Sequence, residues 1–128
     1  MTKVGINGLG RIGRIVFRKL IMREDIELVS VNDIMPIETF AYLLKYDSNY
    51  GVFEGPIEVK DRLLYVNNKQ VHYSSFSEPI NIPWAEMSVD IVIESSGFFK
   101  TYVELEKHIQ AGAKKVVLSC PQKGSWIS

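Results

Sequence analysis

Seven residues near the start, Asn7-Gly8-Leu9-Gly10-Arg11-Ile12-Gly13, constrain this chain more than any others. Before them, Lys3-Val4-Gly5-Ile6 reads as a short buried strand. After them, Ile12, Ile15, Val16 and Leu20 recur at i, i+3, i+4 and i+8. That spacing predicts a helix with one face on a core. The glycines therefore fall at a strand-to-helix turn. At such a turn Gly8 permits the tight bend, Gly10 lets backbone approach a pyrophosphate, and Gly13 lets the helix pack closely on the strand. The helix N-terminus there offers free N–H groups and a partial positive charge to a phosphate.

Three glycines at this spacing arise by chance, so the pattern needs its context. A second strand, Glu27-Leu28-Val29-Ser30-Val31-Asn32, ends in Asp33, twenty residues after Gly13. An acid at that place accepts hydrogen bonds from an adenosine ribose. The plainer reading is that Asp33 and Asn32 only end a strand and start a turn. Arg11 places a cation in the first turn of the helix, against the macrodipole. A bound pyrophosphate would offset that charge, and so in part would solvent.

The sequence has 128 residues, 46% hydrophobic and 23% charged, which gives one domain with a real core. A formal net charge of zero gives no electrostatic footprint for nucleic acid. No apolar run reaches the length of a membrane span. The first strand begins within two or three residues of Met1, which leaves no room for a signal peptide. A single cysteine excludes an internal disulfide, fits a reducing compartment and makes cytoplasm the expectation.

Beyond Pro36, Ile37, Phe40, Ala41 and Leu44 predict a short second helix, closed by the turn formers of Tyr46 to Gly51. Ile57 and Val59 alternate with polar neighbours. Leu63 to Val66 and Val71 to Tyr73 flank Asn67-Asn68-Lys69, which reads as a hairpin. His72 is then a half-exposed strand residue, with no second metal ligand at a suitable spacing. Val89 to Ile93 suits a parallel strand covered on both faces. It ends in Glu94-Ser95-Ser96-Gly97, so Ser96 and Gly97 would border the same crevice as the glycine loop. Thr101-Tyr102-Val103-Glu104 is a capping box for a third helix that faces a core through Tyr102, Leu105 and Ile109 and stops at Gly112. His108 is read as a solvated or part-buried helix residue. Lys115 to Ser119 is a further strand whose end, Ser119-Cys120-Pro121, faces the crevice again. The fold class is α/β: a Rossmann-type, doubly wound, mostly parallel sheet with a small antiparallel hairpin excursion.

Several stretches together resemble the N-terminal part of glyceraldehyde-3-phosphate dehydrogenase. They are residues 2–14, with Leu9 where phenylalanine is usual, Val31-Asn32-Asp33, Leu44-Lys45-Tyr46-Asp47-Ser48, Asn81-Ile82-Pro83-Trp84, Glu94-Ser95-Ser96-Gly97 and Gly112 to Ser119. The resemblance covers residues 2 to about 121 in family order. It implies NAD as cofactor, held by Asn7, Gly8, Gly10, Arg11, Ile12, Gly13, Asp33, Ser96, Gly97 and Ser119. Within that set, Arg11 and Ile12 would give backbone N–H groups to the pyrophosphate. Ser96, Gly97 and Ser119 would approach the nicotinamide ribose. Asp33 argues against NADP, since a carboxylate repels a 2′-phosphate. Ser77 stands where the family usually has a basic residue near the adenine.

The resemblance also implies a homotetrameric parent enzyme that oxidises and phosphorylates an aldehyde in glycolysis. The family's Ser-Cys-Thr-Thr-Asn motif and its later histidine are not within these 128 residues. Cys120 precedes Pro121 and matches a strand end, so no catalytic residue and no metal ligand is assigned. The expectation is a nucleotide-binding domain over residues 1–121, a divergent tail over 122–128, and a chain inactive alone. A stand-alone nucleotide-binding or interaction module, or a piece of erythrose-4-phosphate dehydrogenase, is the alternative.

Overall fold

Alternating strand and helix periods build a seven-stranded sheet with helices packed on it, as a computed structural model of residues 1–46, 51–99 and 101–119 describes. The expected turn at 47–50, Cys120, Pro121 and the tail 122–128 lie outside the described residues. The elements in order are β1 (Thr2–Asn7), α1 (Arg11–Ile21), β2 (Ile26–Asn32), α2 (Ile37–Tyr46), β3 (Ile57–Lys60), β4 (Leu63–Val66), β5 (Lys69–Ser74), β6 (Ile91–Glu94), α3 (Tyr102–Gln110) and β7 (Lys115–Leu118). The sheet order is β3-β4-β5-β2-β1-β6-β7. From β5 to β7 every pairing is parallel, while β3-β4 and β4-β5 are antiparallel. This is the expected parallel sheet with its antiparallel excursion.

Asn67 and Asn68 both have positive φ, 52° and 66°, and join β4 to β5. Two successive left-handed residues match the twist of a tight hairpin. The chain runs outward from β1 through β2 to β5, then returns to lay β6 on the other side of β1. The order therefore reverses between β1 and β6, and a crevice opens beyond their carboxyl ends.

Two cores fill the two faces of the sheet. One gathers Ile6, Phe17, Val31, Phe40 and Leu44, with the Phe17 and Phe40 rings edge to face at 5.3 Å. The other gathers Val29, Ile82, Trp84, Val89 and Val92. The face of α1 agrees with the predicted one at Val16 and Leu20, which pack against the first core, and departs from it in the first turn. Gly13, Phe17 and Ile21 are buried, while Ile12 is 42% exposed. Ile12 lies in the first turn, where the helix meets the glycine loop through Gly13, so the centre of the buried face falls one residue on from the predicted stripe. In α3 the buried positions are Leu105 and His108, while Tyr102 is 71% exposed. His108 is fully buried, against the expectation of a solvated or part-buried residue. The capping box at Thr101 and Glu104 forms as read, and Gly112 follows α3 with φ of 123°.

Side chains also close two helix C-termini. The Arg18 guanidinium donates to the Leu44 carbonyl of α2 at 2.6 Å and sits over the Phe53 ring. Lys69 Nζ donates to the Ile21 carbonyl of α1 at 2.7 Å. Cations there satisfy orphan carbonyls and suit the negative end of the helix dipole.

At the opposite end of the sheet from the crevice, the Asp90 carboxylate accepts from the Lys3 backbone N–H at 2.9 Å and pairs with Lys114 at 3.1 Å. The Lys3 hydrogen bond, then Lys114, hold its carboxyl below the usual carboxylate range. A folded pKa below the unfolded one gives stability above the unfolded pKa that is lost as pH falls through the folded one. Asp90→Asn should therefore flatten the fall of the thermal midpoint on acidification through the carboxylate range. An acid limb identical to that of the wild type would contradict this account.

Candidate functional site

The crevice beyond β1 and β6 is a cavity of about 510 Å³, bordered by the glycine loop, the end of β2 and the loop after β6. That volume lies within the usual range for small-molecule sites. Gly8 has φ of 97°, and a Cβ there would stand 2.3 Å from the Ser96 backbone nitrogen. A Cβ on Gly13 would stand 2.0 Å from the Gly8 carbonyl oxygen. Loop, helix and the β6 end thus meet at backbone contact. Gly10 is the reverse: its Cβ position meets nothing within 4 Å. The space before it is a cradle at the mouth of α1 that a side chain would enter.

The Gly10 carbonyl accepts the first helical bond, from Arg14 N–H at 2.9 Å. The N–H groups of Arg11, Ile12 and Gly13 precede that bond and have no intrahelical acceptor. No acidic residue occupies the first turn of α1. The helix opening is therefore positive by both dipole and side chain.

Asp33 is tied directly to this loop at the edge of the cavity. Its Oδ2 accepts from the Leu9 backbone N–H at 2.6 Å, and its Oδ1 accepts from Met35 N–H at 2.9 Å. The carboxylate holds the loop and retains lone pairs for further donors, since two oxygens offer about four acceptor sites. Leu9 itself is fully buried and packs in the first core. Apolar walls come from Ile34, Phe76, Phe98 and Phe99, and Ser77 lies beside Phe76.

Of the residues expected from sequence, Asn7, Gly8, Gly10, Asp33 and Ser96 line the cavity. Arg11, Ile12 and Gly13 open α1 at its rim, and Gly97 follows Ser96 with φ of 80°. Ser119 is one strand away: its N–H donates to the Glu94 carbonyl at 3.1 Å, and its hydroxyl bonds that of Ser95. A polar row beneath the cavity went unread in the sequence. Ser74, Asn32, Asn7 and Glu94 are register partners at the ends of β5, β2, β1 and β6. Each is buried and hydrogen-bonded to its neighbour. A polar residue closing each of four strands was the signal available.

The donors and acceptors fit a dinucleotide. Helix N–H groups suit a pyrophosphate, a carboxylate suits a ribose diol, and flat apolar walls suit a ring system. A family model for the glyceraldehyde 3-phosphate dehydrogenase NAD binding domain matches residues 2–102. The chain belongs to that family. Glyceraldehyde-3-phosphate dehydrogenase of Salmonella typhimurium is 54% identical over 121 residues, covering 94% of this chain. Glyceraldehyde-3-phosphate dehydrogenase A of Escherichia coli K12 is 52% identical over the same length. The cytosolic glyceraldehyde-3-phosphate dehydrogenase of Trypanosoma brucei brucei is 51% identical over 123 residues, covering 96%. The chain spans about 37% of the length of each. NAD is thus the cofactor of the domain to which this chain belongs. No helix among the described residues is long and apolar enough to cross a membrane.

Gly10 separates binding from folding. Aspartate is a favoured helix N-cap, and the Cβ position is open, so Gly10→Asp should keep or raise the thermal midpoint. It should weaken NAD binding by more than about a hundredfold, because like-charge juxtaposition costs several kcal/mol. Calorimetry and thermal melts check both. Undiminished NAD affinity in a folded Gly10→Asp chain would remove the pyrophosphate from this cradle.

Proposed function

We propose that the cavity at the β1/β6 switch point holds NAD in the nucleotide half of an aldehyde-oxidising, phosphorylating dehydrogenase. The observation that carries this reading is the empty Cβ direction at Gly10, at the mouth of α1 and in the same cavity as Asp33. The N–H groups of Arg11 and Ile12 would hold the pyrophosphate. Asp33, already tied to Leu9, would accept from the adenosine ribose hydroxyls. Ile34, Phe76 and Phe98 would cover the adenine side with apolar contact, Ser77 making no charge there. Ser96 and Gly97, with Ser119 behind Ser95, would border the nicotinamide ribose. When bound, NAD supplies a hydride acceptor, and these residues would orient it.

The relatives' name supports glyceraldehyde 3-phosphate as the substrate of the whole enzyme, and the family resemblance supports its tetrameric assembly. The family's Ser-Cys-Thr-Thr-Asn motif is not within these 128 residues, so the nucleotide half is what they would supply. The nucleotide-binding unit would run over residues 1–121, with 122–128 as its tail, in a cytoplasmic protein.

Calorimetry should record NAD binding to the chain, with NADP at least about tenfold weaker, because a phosphate beside Asp33 sets like charges together. Asp33→Asn keeps an acceptor for Leu9 N–H while removing the charge, and should narrow that gap. Equal affinity of the unmodified chain for both dinucleotides would place the ribose away from Asp33.

A further inference from the structure

Hydrogen-bond donation in the polar row converges on one atom group. The Trp84 indole N–H can only donate, and it lies 2.9 Å from His108 Nδ1. His108 Nδ1 is therefore the acceptor, its proton sits on Nε2, and Nε2–H donates to Glu94 Oε1 at 2.7 Å. From the other side, Phe76 N–H and the Ser74 hydroxyl donate to Asn32 Oδ1, both within 2.9 Å. That turns the Asn32 amide so its nitrogen donates to Asn7 Oδ1 at 2.9 Å. The Asn7 nitrogen then donates to Glu94 Oε1 at 2.8 Å. The Ser96 N–H and hydroxyl both donate to Oε2. Glu94 is fully buried and accepts four hydrogen bonds.

We propose that Glu94, His108 and Trp84 are positioning residues for the nucleotide site: they fix Asn7 and the Ser96 turn in the orientation that receives NAD. The proposal rests on the reading of the cavity as that site. Asn7 and Ser96 line the cavity, whereas His108 and Trp84 lie behind them in the second core and its covering helix. Burying a polar network costs free energy unless every member is satisfied, and apolar packing of equal volume is often as stable. Its placement on the cavity floor gives each floor side chain one orientation only. Asn7 cannot flip without setting its oxygen against the carboxylate. Glu94→Gln would place an NH2 group opposite two donors on one side, so an isosteric change breaks the arrangement. His108→Gln keeps an oxygen for Trp84 and a nitrogen for Glu94, whereas His108→Leu keeps neither.

The test measures NAD dissociation constants and thermal midpoints for the 128-residue chain and these three variants, well below each midpoint. Glu94→Gln and His108→Leu should bind NAD about tenfold more weakly, the effect of roughly one hydrogen bond to a charged group. His108→Gln should stay within about threefold, the rescue that the retained donor and acceptor provide. Folded Glu94→Gln and His108→Leu chains with unchanged NAD affinity overturn the proposal. So does a His108→Gln chain as weak as His108→Leu. Should the two disruptive variants fail to fold, the unmodified chain decides. Saturation with NAD should shift the His108 Nε2–H and Trp84 indole N–H resonances, which a merely structural pair would leave in place; unmoved resonances overturn the proposal. Absence of NAD binding by the unmodified chain is a separate failure, since it removes the nucleotide reading and the positioning role together.

Discussion

A carboxylate buried away from water must be surrounded by donors, and the cavity end of this sheet is arranged around that need at Glu94. No lysine or arginine is hydrogen-bonded to it among the described residues. Its four donors come from α3, from the end of β1 and from its own following turn. Those same groups set the distance between the glycine loop and the β6 loop. A Cβ on Gly8 would meet Ser96 backbone, and Ser96 is held by Glu94. Loop, strand end and helix therefore form one rigid floor, and the open side at Gly10 is what remains for a ligand.

Much of the fold was legible because it is local. The strand, glycine turn and helix of residues 3–21, the Asn67-Asn68 hairpin and the Thr101 capping box each depend on neighbours within a few positions. The misread faces depend on distant partners. Counting the α1 stripe from Ile12 assumed that the first turn faced the core; Val16 and Leu20 do pack there, but Gly13, Phe17 and Ile21 are the buried positions. His108 is an ordinary polar helix residue by pattern. Only Glu94, fourteen positions back, and Trp84, twenty-four back, make it a core residue.

The site divides in the same way. Gly8, Gly10 and Asp33 belong to a pattern that physical chemistry ties to a dinucleotide, and the fold brings all three to one cavity. Asn32 and Glu94 were read only as strand ends, because nothing local reveals that their strands lie side by side in register. The apolar walls at Ile34, Phe76 and Phe98 were missed for a related reason. Exposed apolar residues in loops carry no periodicity, and only the fold brings these three to one cavity. The family match over residues 2–102 agrees with the part of the pattern that is local.

The central claim is that one cavity, at the β1/β6 switch point, receives NAD along the glycine loop. Backbone amide shift mapping during an NAD titration tests it most directly. The account predicts the largest shifts at Gly8 to Gly13, Asp33 to Met35 and Ser96 to Gly97, with β3, β4 and the exposed face of α2 unmoved. Shifts centred instead on the residues of α3 and β7, with the glycine loop silent, would contradict it.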